Sequence, residues 1–129
     1  MRRSRSFVMF SLRISVFAIS SLLSFSGWAQ NIEGNIVVLQ GMDKVTARVW
    51  SFEAPTGRTV RFGTLEIVVQ TCKRTPPEEP PESAAYLDIY EVRSKEVRIE
   101  LFHGWMFASS PGLSGLEHPV YDVWVLNCK

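Results

Sequence analysis

Two histidines, His103 and His118, stand at the two ends of one long stretch, and Glu117 and Asp122 flank the second of them. Imidazole and carboxylate donors drawn together by such a stretch would form a polar site, and a metal centre would need three or four of them converging. His118 precedes Pro119 beside a turn, where an imidazole ordinarily bonds backbone. The spacing therefore assigns no metal, and His103, His118 and Asp122 stand as a candidate polar site only. Glycosidase chemistry asks for two carboxylates facing across a cleft. Asp88, between Leu87 and Ile89, and Asp122, between Tyr121 and Val123, read as the more enclosed acids, and salt bridges or turn bonds explain them equally well. Gly112-Leu-Ser-Gly-Leu116 sets its second Gly one place early for the Gly-x-Ser-x-Gly elbow of a serine hydrolase, puts Leu where the last Gly belongs and lacks the flanking strand. No phosphate loop, dinucleotide fingerprint or zinc-finger spacing occurs. The residue types thus name no catalytic residues and no cofactor, and they lean away from an enzyme.

The other reactive pair is Cys72 and Cys128, the chain's 2 cysteines. No CxxC is present and no histidine is close to either in sequence, which counts against a thiol catalyst. In an oxidising compartment an even pair reads as one disulfide. It would close a loop of about 57 residues, for which chain entropy gives about 4 kcal/mol as an upper estimate.

The elements that must position these groups repeat with period two. Val45, Ala47 and Val49 alternate with polar residues, as do Leu65, Ile67 and Val69, then Val97, Ile99 and Leu101, then Tyr121, Val123 and Val125. Branched and aromatic residues fill the runs, so they read as strands. Ala54-Pro-Thr-Gly57, Gly63 and Arg93-Ser-Lys95 supply turns between them. The pattern predicts six or seven mainly antiparallel strands, at about 36–40, 44–52, 58–62, 64–72, 84–93, 96–102 and 120–127, in an all-β sandwich or small barrel. Two connections are longer. Lys73–Ser83 carries four prolines and three glutamates and reads as a stiff, solvated loop. His103–Pro119 carries Trp105, Met106 and Phe107, and Ser110-Pro111 resembles the start of a helical turn running to Glu117. An apolar irregular segment of this kind is a lid over the core or a partner-binding surface. Trp105, Met106 and Phe107, with Tyr121 and Trp124, are the candidate interaction residues.

The amino terminus obeys different rules. Arg2, Arg3, Arg5 and Arg13 precede any acid, a short apolar run spans Ile14–Phe25, and Ser26-Gly-Trp-Ala29 is rich in small residues. That is the pattern of a secretory signal peptide cut after Ala29, too short and too serine-rich for a membrane span. It divides the chain into a signal, 1–29, and a single domain, 30–129, expected to be soluble in the periplasm without a transmembrane span. Four of the 14 basic residues fall in the signal, which leaves 10 against 13 acidic ones and a net charge of −3 on the domain. Such a surface lacks the basic stripe that binding to phosphate backbones requires, so nucleic acid is excluded as a partner.

Four segments carry a resemblance: Leu39-Gln-Gly-Met-Asp-Lys-Val-Thr46; Val60-Arg-Phe-Gly-Thr-Leu-Glu-Ile67 before Cys72; Gly104-Trp-Met-Phe-Ala-Ser-Ser-Pro111; and Leu116-Glu-His-Pro-Val-Tyr-Asp-Val-Trp124 before Cys128. Together they resemble the alphaproteobacterial family called domain of unknown function 2155, from about residue 37 to the end. The resemblance implies an exported envelope domain and supplies no reaction, cofactor or established partner. The expectation is a non-catalytic structural or interaction module whose partner is an envelope protein or a cell-wall component. A small-ligand or metal-binding β-domain is the alternative, and a hydrolase comes after both.

Overall fold

A computed structural model describes residues 30–129; the expected signal segment lies outside the described residues. Eight strands follow one another: β1 (Ile32–Gly34), β2 (Ile36–Asp43), β3 (Arg48–Pro55), β4 (Thr59–Phe62), β5 (Leu65–Arg74), β6 (Ser83–Val92), β7 (Arg98–Phe107) and β8 (Tyr121–Cys128). Every pairing is antiparallel. One sheet has five strands, with β5, β6 and β7 side by side and with β1 and β4 sharing the other edge of β5; the second runs β3-β2-β8. The all-β sandwich is as the alternation predicts, with one strand more than expected. The described residues include no helix long and apolar enough to cross a membrane.

The core lies between the sheets. Val37, Leu39 and Ala54 with Val123 and Val125 from the smaller sheet meet Leu65, Ile67 and Val69, then Ala85, Leu87 and Ile89, then Met106 from the larger one, all essentially inaccessible to water. Each fully buried Val, Leu or Ile contributes about 1.5–3 kcal/mol, an upper estimate because the unfolded chain already hides some surface. Cys72 on β5 and Cys128 on β8 form the expected disulfide, with Cα atoms 6.0 Å apart, and so tie one sheet to the other.

Three expectations are corrected. The second strand starts at Arg48, not at Lys44: the Asp43 carboxylate accepts the Val45 and Thr46 N–H groups at 2.9 and 3.3 Å, and Ala47 takes a left-handed φ of 56°. Residues 44–47 are therefore a hairpin turn, and Val45, 78% exposed, never reaches the core despite its place in the alternation. The run expected at 96–102 spans Arg98–Phe107, so Trp105, Met106 and Phe107 belong to β7 and the irregular segment is only 108–120. A bulge causes the misreading. Ile89 pairs with Phe102 but Tyr90 pairs with Glu100, which leaves Leu101 extra and moves the inward phase from Ile99 to Phe102, Gly104 and Met106. Finally, no helical turn spans Pro111–Glu117. Leu113 donates to the Ser110 carbonyl at 3.1 Å in one isolated turn, after which Leu116 drops into the core.

Candidate functional site

The outer face of the five-stranded sheet carries an array of side chains centred on Asp88. On β6, inward Ala85, Leu87 and Ile89 alternate with outward Tyr86, Asp88 and Tyr90. An outward carboxylate would ordinarily stand in water, yet Asp88 is only 6% exposed. Its Oδ2 accepts from Gln70 Nε2 at 2.8 Å, and its Oδ1 takes a hydrogen bond from His103 Nδ1. The far side of that ring, Nε2, lies 2.8 Å from the Tyr86 hydroxyl. With the ring proton on Nδ1, Nε2 is an acceptor and the phenol donates to it. Glu100 completes the group, with Oε1 3.7 Å from His103 Nδ1.

Two irregularities bring these groups together. Glu100 and His103 are three apart and would point to opposite faces of a regular strand. The extra Leu101 puts both on the outer face, where His103 is the direct cross-strand partner of Asp88. On the other flank the β5–β6 register shifts between Val69 and Thr71, leaving Gln70 as the extra residue beside Asp88. Bulges of this kind re-aim side chains and concentrate near functional sites. Here both strands flanking β6 bulge toward one carboxylate. Tyr86 is further held edge-on against Trp105, with ring centroids 5.4 Å apart. Beyond Tyr90, Arg98 lies 4.2 Å above that ring and 3.0 Å from Glu66.

A second feature opens where β3 passes from the smaller sheet toward β4 in the larger one. Trp50 and Phe52 pair with Gly41 and Leu39 of β2, so they belong to the inner face of the smaller sheet. Phe62 from β4 stacks on Phe52 at 5.5 Å and meets Trp50 and Tyr121 edge-on at 5.7 and 5.5 Å. Two glycines admit these rings: a Cβ on Gly41 would lie 2.6 Å from the Phe62 ring, and one on Gly63, at φ 58°, would lie 2.4 Å from Tyr121. The aromatic groups do not close over one another. They line an open cleft of about 440 Å³ with Asp43, Ser51 and Arg61, and Trp50 remains 45% exposed. β3 is also an edge strand, paired with β2 alone.

The residues singled out by sequence are spread over several places. His103 joins Asp88 and Glu100, and these three are the converging group of potential ligands among the described residues. His118 is elsewhere: its Nδ1 accepts the N–H groups of Val120 and Tyr121, both at 3.0 Å, its Nε2 is 3.4 Å from Glu91, and its ring stacks on Tyr121. Asp122 and Trp124 line a shallow groove with Pro111 and Gly115, Trp105 and Phe107 line another with Lys73 and Ala84, and Tyr121 lines the aromatic cleft. Met106 is core. Sequence reasoning missed Gln70, Tyr86 and Glu100, whose approach to Asp88 depends on register, and also Trp50, Phe52 and Phe62. Trp50 and Phe52 alternate with Val49 and Ser51, and that was the available signal.

The proline-rich connection is fastened at its end. The Glu82 carboxylate accepts from the Ser109 hydroxyl, from the Ser109 N–H at 3.1 Å and from the Ser83 N–H at 2.9 Å. Burial pushes this carboxyl up, but these hydrogen bonds, the one from the Ser109 side chain foremost, outweigh it and hold the group below its ordinary value.

The profile of a family described as "Uncharacterized protein conserved in bacteria (DUF2155)" matches residues 37–128. A curated relative, "Uncharacterized protein RP359" of Rickettsia prowazekii (strain Madrid E), is 30% identical over 95 residues, which cover 74% of this chain and 59% of the relative. The matched part thus spans about three fifths of that relative's length. No solved structure matches the chain.

Proposed function

This chain belongs to the DUF2155 family, and we propose that it is a non-catalytic interaction module exported to the bacterial cell envelope. The docking site in this reading is the aromatic cleft, and the occupant is an extended segment of a partner protein laid along β3. The observation that carries it is the open cleft lined by Trp50, Phe52, Phe62 and Tyr121 beside an unpaired sheet edge, with Trp50 half-exposed and the other three partly buried. A free edge offers backbone donors and acceptors to an added strand, and an adjoining apolar cleft selects the side chain that the strand inserts. Arg61 and Asp43 at the rim supply opposite charges that fix its register. Export rests on the signal pattern in residues 1–29 and on the oxidising compartment in which a disulfide persists. Trp105 and Phe107, on the opposite face of the larger sheet, are a second contact in the same reading.

A photo-crosslinking residue at Ser51, compared with one at Lys95 in the hairpin of the larger sheet, tests the docking site in the native host. One discrete adduct at position 51, absent from position 95 and lost when Trp50→Ala is added, is expected. The half-exposed Trp50 is outside the buried core, so its removal leaves the fold in place. Equal labelling from both positions, or an adduct indifferent to Trp50→Ala, refutes the reading.

A further inference from the structure

We propose that Asp88, Glu100 and His103 form a binding site for a divalent transition-metal ion of the zinc class. This site lies on the outer face of the larger sheet and does not depend on the docking cleft. His103 Nδ1 and one oxygen from each carboxylate all lie within 4.8 Å of one another. Ligands at about 2.0–2.2 Å around a tetrahedral ion are separated by roughly 3.4 Å, so small side-chain rotations bring the three into place. Nδ1 and Glu100 Oε1, at 3.7 Å, are close to that separation already.

The donor set selects the ion. One imidazole nitrogen with two carboxylate oxygens suits zinc and its borderline neighbours, whereas calcium and magnesium prefer oxygen throughout. Two carboxylates neutralise a divalent charge. Three protein ligands leave a fourth position, and it faces water, because the side chains of His103 and Glu100 are each 55% exposed. Asp88 is the fixed member, enclosed and oriented by Gln70. Tyr86 has the place of the outer partner that orients a ligating imidazole. On metal binding the ring changes tautomer. The hydrogen leaves Nδ1, whose lone pair then faces the ion, and Nε2 carries one toward the Tyr86 oxygen, with no net proton release by the imidazole. The two bulges that set Gln70 and Glu100 beside Asp88 assemble both shells on one face.

Calorimetric titration of the untagged protein with zinc chloride, after removal of bound metal, decides it. The expected result is one equivalent bound more tightly than about 100 μM, with Glu100→Gln and His103→Gln each weakening it by at least about tenfold. Weaker binding by the unaltered protein, or affinity within about tenfold of it in either variant, overturns the site. Should a variant fail to fold, nitrogen resonances of the unaltered protein decide alone. Zinc must shift His103 Nδ1 and leave His118 Nδ1, which already holds two backbone N–H groups, unmoved. A response from both rings, or from neither, overturns it.

Discussion

Reducing the Cys72–Cys128 bond probes the fold most directly, because it removes one covalent link without changing a side chain's volume. The bridged residues are 56 apart, and the loop between them contains β6, β7, the whole segment of residues 108–120 and most of β8. Constraining a loop of that size lowers the entropy of the unfolded chain by an amount worth about 4 kcal/mol at 25 °C, taken as a ceiling. For a domain of about 100 residues each kcal/mol moves the melting temperature by about 4–8 °C, so full reduction should lower it by about 15–30 °C. The effect falls on the unfolded state, so it should appear even if the reduced native spectrum is unchanged. Circular dichroism melts with and without a phosphine reductant, with thiol counting to confirm two free sulfurs, make the measurement. Both sulfurs are fully buried, so reduction will need brief exposure to denaturant followed by refolding. A fall of less than about 3 °C with both thiols free would refute the claim that cross-sheet linkage is a principal source of stability.

Three further outcomes follow from the packing. Gly41→Ala pushes a methyl group into the Phe62 ring and should cost about 1–3 kcal/mol in urea unfolding, with Phe62→Leu in the same chain recovering most of it. Ser83→Ala leaves the buried Cys128 N–H without its acceptor at 3.2 Å and should cost about 1–3 kcal/mol in the same assay. Glu82 has a folded-state carboxyl below its ordinary value of 4.5, so the stability it contributes is whole above that pH and is lost as pH falls through the lower, folded value. Melting temperatures across the acid range should therefore show Glu82→Gln most destabilised near neutrality, with the gap to the unaltered protein closing below 4.5; a gap constant with pH would refute it.

The inward residues were legible wherever alternation ran unbroken. Leu65, Ile67 and Val69, or Val123 and Val125, needed only the period of two and are buried as that period requires. It misled at two kinds of place. At Val45 and Ala47 it continued through a turn that the Asp43 carboxylate folds by local hydrogen bonds, a competition between side chain and strand that apolar patterning does not register. At Leu101 one inserted residue reversed the phase, so the second half of β7 read as irregular and its aromatic residues as a loop. The same insertion concealed the outer-face cluster. His103 was conspicuous as one of two histidines, but the sequence paired it with the other histidine because nothing local in a strand reports its cross-strand neighbour. Asp88 was noticed for its apolar flanks; Gln70 and Tyr86 acquire meaning only from register.

The enclosure of Asp88 is the observation that stability does not explain. A carboxylate on the solvent side of a sheet is accommodated at little cost by leaving it exposed, as Glu53 on β3 is, paired there with Lys129. Covering it requires removing hydration from a charged group, which is unfavourable unless every lost water is replaced by a well-aimed donor. Here the replacements come from a bulged glutamine on one side and from a histidine displaced by a second bulge on the other, and each bulge interrupts a ladder that would otherwise be regular. A fold selected for burial alone would gain by straightening both strands. Local departures that raise the cost of folding and converge on one polar group mark the places where function has constrained the chain. By that reasoning the two bulges around Asp88 favour the metal site proposed for the outer face, a role separate from docking at the aromatic cleft.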